Sequence, residues 1–182
     1  MVIYLIGVHH SIQHNGGNLR NIPGLFALRE QFQYYLISTT REFGISVLAE
    51  ELNEDALKMF NASESLARFV AGRLGIAHMF CEPSLRARSS LGFTKQLQKK
   101  HHFIRELLWY DKMIDYKGKR IVFICGVNHI PTFSRLIQEK GQHAIILTSY
   151  YGRNFFESLS PHRFYQSLTA LQKNSWVIFQ DP

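Results

Sequence analysis

Apolar positions along this chain fall into two patterns. Short unbroken runs alternate with longer stretches in which apolar residues recur every three to four positions. The runs 2–6, 45–49, 76–81, 121–125 and 143–148 are rich in β-branched and aromatic residues and are too short for helices, so each reads as a buried strand. Between them the longer repeat predicts helices over 25–42, 53–60, 64–74, 94–116 and 131–140. Leu25, Leu28, Phe32 and Tyr35/Leu36 share one face of the first. Ser63-Glu64-Ser65 caps the third, whose apolar face is Leu66, Phe69, Val70 and Leu74. The fourth carries an apolar stripe of Phe103, Leu107, Tyr110 and Ile114. Lys95, Lys99, His102 and Glu106 fall on a wetter face, and His101-His102 reads as surface. Gly44, Gly75 and Gly141 stop helices, and Pro131-Thr132 starts one.

A strand, a crossover helix and a second strand make a βαβ unit, so successive strands are expected to be parallel. The expected fold is a single α/β domain with a mostly parallel central sheet of about 5–6 strands and helices on both faces. Residues 9–24 form a loop marked by Asn15-Gly16-Gly17 and Pro23-Gly24. A loop this long is often a lid or binding segment, and His14 within it reads as exposed. Residues 84–90 also read as a loop. Beyond the motif-bearing core, 1–148, lies an aromatic extension, 149–182. It predicts a short helical piece near 154–158, a helix over 161–173 and an edge strand at 176–179. Its aromatics, among them Tyr150, Tyr151, Phe155 and Phe156, form extra core, a lid or a homodimer surface.

Composition adds bounds. A length of 182 residues, with 46% hydrophobic and 19% charged, suits one ordinary globular domain. No apolar stretch approaches the roughly 18–20 residues of a membrane span. Residues 2–6 lack the basic flank of a signal peptide, so a cytoplasmic protein with no membrane partner is expected. Cys81 and Cys125 each end a predicted central strand and read as buried free thiols. The net charge is +7. Between Arg86 and Arg120 there are ten Lys/Arg against Glu106, Asp111 and Asp115, so this one segment carries the whole excess. It is either a patch that steers nucleic acid or another acidic partner, or a solvated helix face.

One feature of the strands suggests chemistry. Residues 2–10 and 121–129 both run from an apolar strand into Gly-Val-x-His, at Gly7 to His10 and Gly126 to His129. Gly75-Ile-Ala-His78 matches the bare spacing but precedes its strand, and His78 reads as a hydrogen-bonded core residue. The two strands preceding Gly7 and Gly126 are expected to be neighbours, with His10 and His129 meeting at one rim of the sheet. The second strand ends in Glu50-Glu51 and the third in Glu82. Ligands bind along the carboxyl rim of such sheets. Strand alternation lets only one of Glu50 and Glu51 face a given site, leaving the other to cap a helix or bind an arginine. Two histidines and a carboxylate suit Zn²⁺, Mn²⁺, Fe²⁺ or Co²⁺, and such an ion makes hydroxide available near neutral pH. A spare carboxylate would then be general base. Arg86 or Arg88 would stabilise developing negative charge.

Gly-Val-x-His after the first strand, Glu51-Leu52 after the second, an arginine-bearing segment, and Ile124-Cys-Gly-Val-Asn-His129 leading into a helix together resemble the TraB/Tiki superfamily. That group includes erythromycin-esterase-like and ChaN-like proteins. The chain is also similar to short bacterial proteins with an Ala-Glu-Glu stretch and two such histidines. The resemblance covers about residues 1–148. It implies a paired-repeat α/β fold and peptidase-like metal chemistry, with the roles falling on His10, His129, Glu51 or Glu50, and Arg86 or Arg88. The expected function is a metal-dependent hydrolase using a divalent cation (Mn, Zn or Co). The alternatives are a nucleic-acid-directed phosphoesterase or nuclease that uses 86–120, and a non-enzymatic toxin–antitoxin-like interaction module.

Overall fold

The computed structural model describes residues 1–16, 22–93 and 98–159. Five strands, β1 (Val2–Val8), β2 (Val47–Glu50), β3 (Ala77–Phe80), β4 (Arg120–Gly126) and β5 (His143–Tyr151), form one sheet in the order β3-β2-β4-β1-β5. Every pairing is parallel. Among them run α1 (Leu25–Glu42), α2 (Glu54–Met59), α3 (Leu66–Leu74), α4 (Leu85–Ser90), α5 (Gln98–Ile114), α6 (Ile130–Glu139) and α7 (Arg153–Ser158). The α/β expectation holds. The predicted pieces at 161–173 and 176–179 lie outside the described residues, as does Lys95.

Strand order explains which helix covers which face. The steps β1 to β2 and β2 to β3 move one way across the sheet, and β3 to β4 and β4 to β5 move the other. Right-handed crossovers that travel in opposite directions must lie on opposite faces. Accordingly α1 and α3 pack on Tyr4, Ile6, Leu48, Val122 and Ile124. The residues between these, Ile3, Leu5, Val47, Ala49, Ile121 and Phe123, face α5 and α6. Both faces are covered, so these strands read as continuous apolar runs. The chain leaves β1 towards one edge and β4 towards the other. That divergence opens a crevice at the carboxyl ends of two adjacent strands.

Four local readings are corrected. Residues 85–90 are helical because Ser84 caps them, its Oγ accepting the Ala87 N–H at 3.2 Å. In α3 the buried face is Leu66, Ala67, Val70 and Ala71, and Phe69 is exposed. His14 is buried; its ring stacks on Phe60 at 4.0 Å and its Nδ1 accepts the Gly16 N–H. The largest correction is the orientation of α5. Its inner face is His101, Arg105, Glu106, Trp109, Tyr110 and Met113, whereas Phe103 is 55% exposed. Arg105, Glu106 and Trp109 turn inward because each finds a buried partner at the sheet rim, described below, and His101 stacks on Phe93 at 4.4 Å between ring centroids.

Candidate active site

Gly126 ends β4 directly opposite Val8 of β1. Glu51 follows β2, the strand on the other side of β4. Its Oε2 accepts the Gly126 N–H at 2.7 Å, and its Oε1 accepts from Arg105 Nη2. The imidazoles of His10 and His129 both face that second oxygen, with Nε2 to Oε1 distances of 3.9 and 3.5 Å. The two halves of the sequence echo therefore meet at one carboxylate. A Cβ on Gly126 would sit 3.0 Å from His10 Nε2 and 3.4 Å from Glu51 Oε2, so glycine there admits the imidazole.

Each imidazole is also held from behind. His10 Nδ1 pairs with Gln13 Oε1 at 2.6 Å, in the short 3-10 turn that follows β1. His129 Nδ1 pairs with Glu106 Oε1 at 2.7 Å, and the Thr132 hydroxyl donates to the same oxygen at 2.6 Å. An acceptor at Nδ1 places a proton on that nitrogen and orients each ring so that Nε2 faces Glu51. Trp109 closes the inner side, edge-on to His129 at 4.8 Å between ring centroids. The His102 ring lies 4.6 Å from that of His129, and burial, then His129 and Arg105, lower its pKa.

Arg105 ties the carboxylates together. Its Nε lies 2.9 and 3.0 Å from the two oxygens of Glu82, and its Nη2 donates to Glu82 Oε2 at 2.9 Å as well as to Glu51. Trp109 Nε1 donates to Glu82 at 3.0 Å, and Arg88 Nη1 lies 3.7 Å from it. Burial alone raises the pKa of Glu51. Arg105 first, then His10, His129 and the Gly126 N–H, outweigh burial and hold it down at about 2. Burial by itself lowers the pKa of Arg105, but Glu82 and Glu51 together raise it further. The cluster carries three buried carboxylates, Glu51, Glu82 and Glu106, against two buried guanidinium groups, Arg88 and Arg105.

The sequence candidates separate cleanly. His10, His129 and Glu51 converge. Glu82 lies one residue deeper, behind Arg105. Glu50 points to the opposite face, where its Oε1 accepts from Ser65 Oγ, the cap of α3, and lies 2.7 Å from His78 Nε2. That is the alternation expected of consecutive strand-end residues. His78 is the hydrogen-bonded residue anticipated, away from the imidazole pair. Arg86 is exposed on α4, and Arg88 meets Glu82. The arginine that reaches Glu51 is Arg105, which the sequence reading passed over together with Glu106, Trp109 and Gln13. A signal was present: Trp109 is the largest side chain of α5, and turning it inward brings Arg105 and Glu106 with it.

Imidazole and carboxylate are donor types that divalent ions use, and both histidines have Nδ1 anchored and Nε2 turned to one carboxylate oxygen. As they are placed, no group of three or more His, Cys, Asp or Glu among the described residues could hold a metal ion, and Arg105 occupies the shared oxygen. Cys81 and Cys125 are buried and free, with burial raising both thiol pKa values, Cys81 to about 12. No helix among the described residues is long and apolar enough to cross a membrane. The chain matches no family model, no curated protein and no solved structure.

Proposed function

We propose that the crevice between the ends of β1 and β4 is the active site of a metal-dependent hydrolase. The observation that carries this is the convergence of His10 and His129 Nε2 on the Glu51 Oε1 atom, each imidazole with its Nδ1 held. His10, His129 and Glu51 would hold Mn²⁺, Zn²⁺ or Co²⁺. Such an ion supplies Lewis acidity when bound. Glu106 and Thr132 fix the His129 ring, Gln13 fixes the His10 ring, and Trp109 keeps water from the inner side. The His10 side chain is 36% exposed against 5% for His129, so substrate approaches from the His10 side. The resemblance to TraB/Tiki proteins points to peptide-like substrates.

Calorimetric titration with Mn²⁺ and Zn²⁺ on wild type, His10→Ala and His129→Ala tests the reading. Wild type binds one ion and each variant loses at least most of that affinity. Equal and negligible heat in all three sinks the metal claim. We place the nucleic-acid reading second, because Arg88 and Arg105 of the basic segment face Glu82 and Glu51 and leave fewer charges for phosphates.

A further inference from the structure

The two edges of the sheet are built differently. The edge strand β3 has four residues, Ala77–Phe80, and charged side chains gather at its end. Lys112 Nζ donates to the Phe80 carbonyl at 3.2 Å, and the Arg68 guanidinium lies 4.4 Å from the Phe80 ring centroid. Short length and charge keep a sheet edge from pairing with another chain. The edge strand β5 has nine residues, His143–Tyr151, with no Lys, Arg, Asp, Glu or Pro among them. Its register on β1 shifts after Ile146, so His143–Ile146 is the regular part. The His143 N–H donates to the Met1 carbonyl, so alternation aims the N–H and C=O groups of Ala144 and Ile146 away from β1. Among the described residues no strand lies beyond β5. Ile145 is 42% exposed and Ile146 47%. They are consecutive, so they point to opposite faces of the sheet. A layer laid over either face would cover one of them and leave the other in water. A strand laid along the edge brings neighbours to both.

We infer that the β5 edge is a homodimer surface, on which the same edge of a second copy pairs antiparallel about a twofold axis. The chain's own apolar run 176–179, outside the described residues, is the alternative occupant. A parallel strand added beyond β5 continues the direction taken from β4 to β5, and a right-handed crossover in that direction runs over the α6 face. The chain leaves β5 on the other face, where Phe155, Phe156 and Leu159 pack into the α1 cluster. A second copy meets no such restriction, because two identical edges related by a twofold axis are self-complementary. The absence of Lys, Arg, Asp and Glu from β5 leaves no like charges to face each other in that pairing. The two five-stranded sheets then join into one. The inference does not depend on the metal reading of the crevice between β1 and β4.

Sedimentation equilibrium and backbone amide exchange on the full chain test this. Wild type forms a reversible dimer whose fraction rises with concentration, and the Ala144 and Ile146 amides exchange more slowly as that fraction rises. Ile145→Lys and Ile146→Lys each weaken the dimer about tenfold or more, because each sets two like charges close to the twofold axis and removes apolar contact. Phe26→Lys on α1 and Phe103→Lys on α5, at exposed apolar positions off the edge, leave the dimer unchanged. A wild type that stays monomeric at every concentration overturns the inference; slow exchange at Ala144 and Ile146 in that monomer makes the chain's own tail the occupant. A dimer that both β5 variants leave intact, that either control weakens as much, or that forms with those two amides still exchanging freely also overturns it and puts the interface elsewhere. Should one β5 variant fail to fold by circular dichroism, the other, on the opposite face, carries the test. Should both fail, the concentration dependence of the wild-type exchange decides.

Discussion

The two strand ends that share Gly-Val-x-His are alike in backbone and unlike in support. His10 sits at the mouth of the crevice, and its Nδ1 partner, Gln13, lies three residues on. His129 is buried, and its Nδ1 partner, Glu106, comes from α5, 23 residues back along the chain. The glycines differ as well. A Cβ on Gly7 would meet the backbone oxygen of Ser149 at 2.1 Å and Ile130 Cγ1 at 2.9 Å, so Gly7 lets β5 close on β1. A Cβ on Gly126 would meet His10 and Glu51 side chains. One glycine serves the sheet and the other serves the site. Local sequence delivers each imidazole to the rim; what holds it there is set by contacts the local sequence does not contain.

The strongest way to break this contrast is Gly7→Ala. Backbone cannot move aside as a side chain can, so the substitution should cost about 3 kcal/mol or more, the upper end for overpacking. Urea unfolding measures it. A cost below about 1 kcal/mol would mean that the β1–β5 approach is soft and that the glycines do not differ in role.

Second in size is Glu106→Ala. It strands the Nδ1 proton of a buried imidazole, a loss of about 1–3 kcal/mol, while the Thr132 hydroxyl keeps its contact with the His129 carbonyl at 3.3 Å. Gln13→Ala should cost less, because the Gln13 Nε2 has no hydrogen-bond partner among the described residues, and its removal relieves a buried donor. Equal losses in the two variants would erase the distinction between locally and remotely held histidines. Glu106→Ala should also weaken cation binding more than Gln13→Ala does.

How far the sequence reaches follows from the same distinction. The unbroken apolar runs placed the strands well because both of their faces are buried, and the period-3.6 pattern placed α1 and α6 well because their inner positions are apolar. The pairing of β1 with β4 and the meeting of His10, His129 and Glu51 were legible from strand ends alone. The opposite sides taken by Glu50 and Glu51 followed from alternation. α5 was misread because its inner face carries His101, Arg105 and Glu106. A hydrophobicity pattern assigns such residues to solvent unless their partners are known, and those partners, Glu82, Glu51 and His129, come from three other elements. His14 was misread for a like reason, since its aromatic partner Phe60 lies far along the chain. A buried polar network is the part of a fold that single-residue preferences describe worst.

Gly126→Ala is smaller in stability and sharper in function. The new methyl meets the far end of His10, which can rotate away, so the expected cost is about 1 kcal/mol. Rotation takes His10 off Glu51. Calorimetry should therefore show cation affinity reduced as far as in His10→Ala while the melting temperature falls only slightly. A variant that keeps full affinity would mean that His10 does not need its present position.

The smallest effect at neutral pH comes from the loop after β1. Burial, then His10, lowers the pKa of His9 to about 4; burial, then Arg29, His10 and His9, lowers that of His14 to about 3. Unfolded, both titrate near 6.5. Between those values the unfolded chain binds more protons than the folded one, so stability rises with pH. The contribution is fully present above about 6.5 and is lost progressively as pH falls towards 4 and then 3. Glu51, held at about 2, adds a separate loss only below the ordinary carboxylate range, where the unfolded chain takes up its proton first. His14→Phe keeps a ring against Phe60 and removes the titration. At pH 7 it should change stability by less than about 1 kcal/mol, the cost of the Gly16 N–H contact. Between pH 6 and 4 its unfolding free energy should fall less steeply than that of wild type. Parallel slopes for the two proteins would place the acid sensitivity elsewhere and remove the contrast between the histidine-bearing loop after β1 and the short turn after β4.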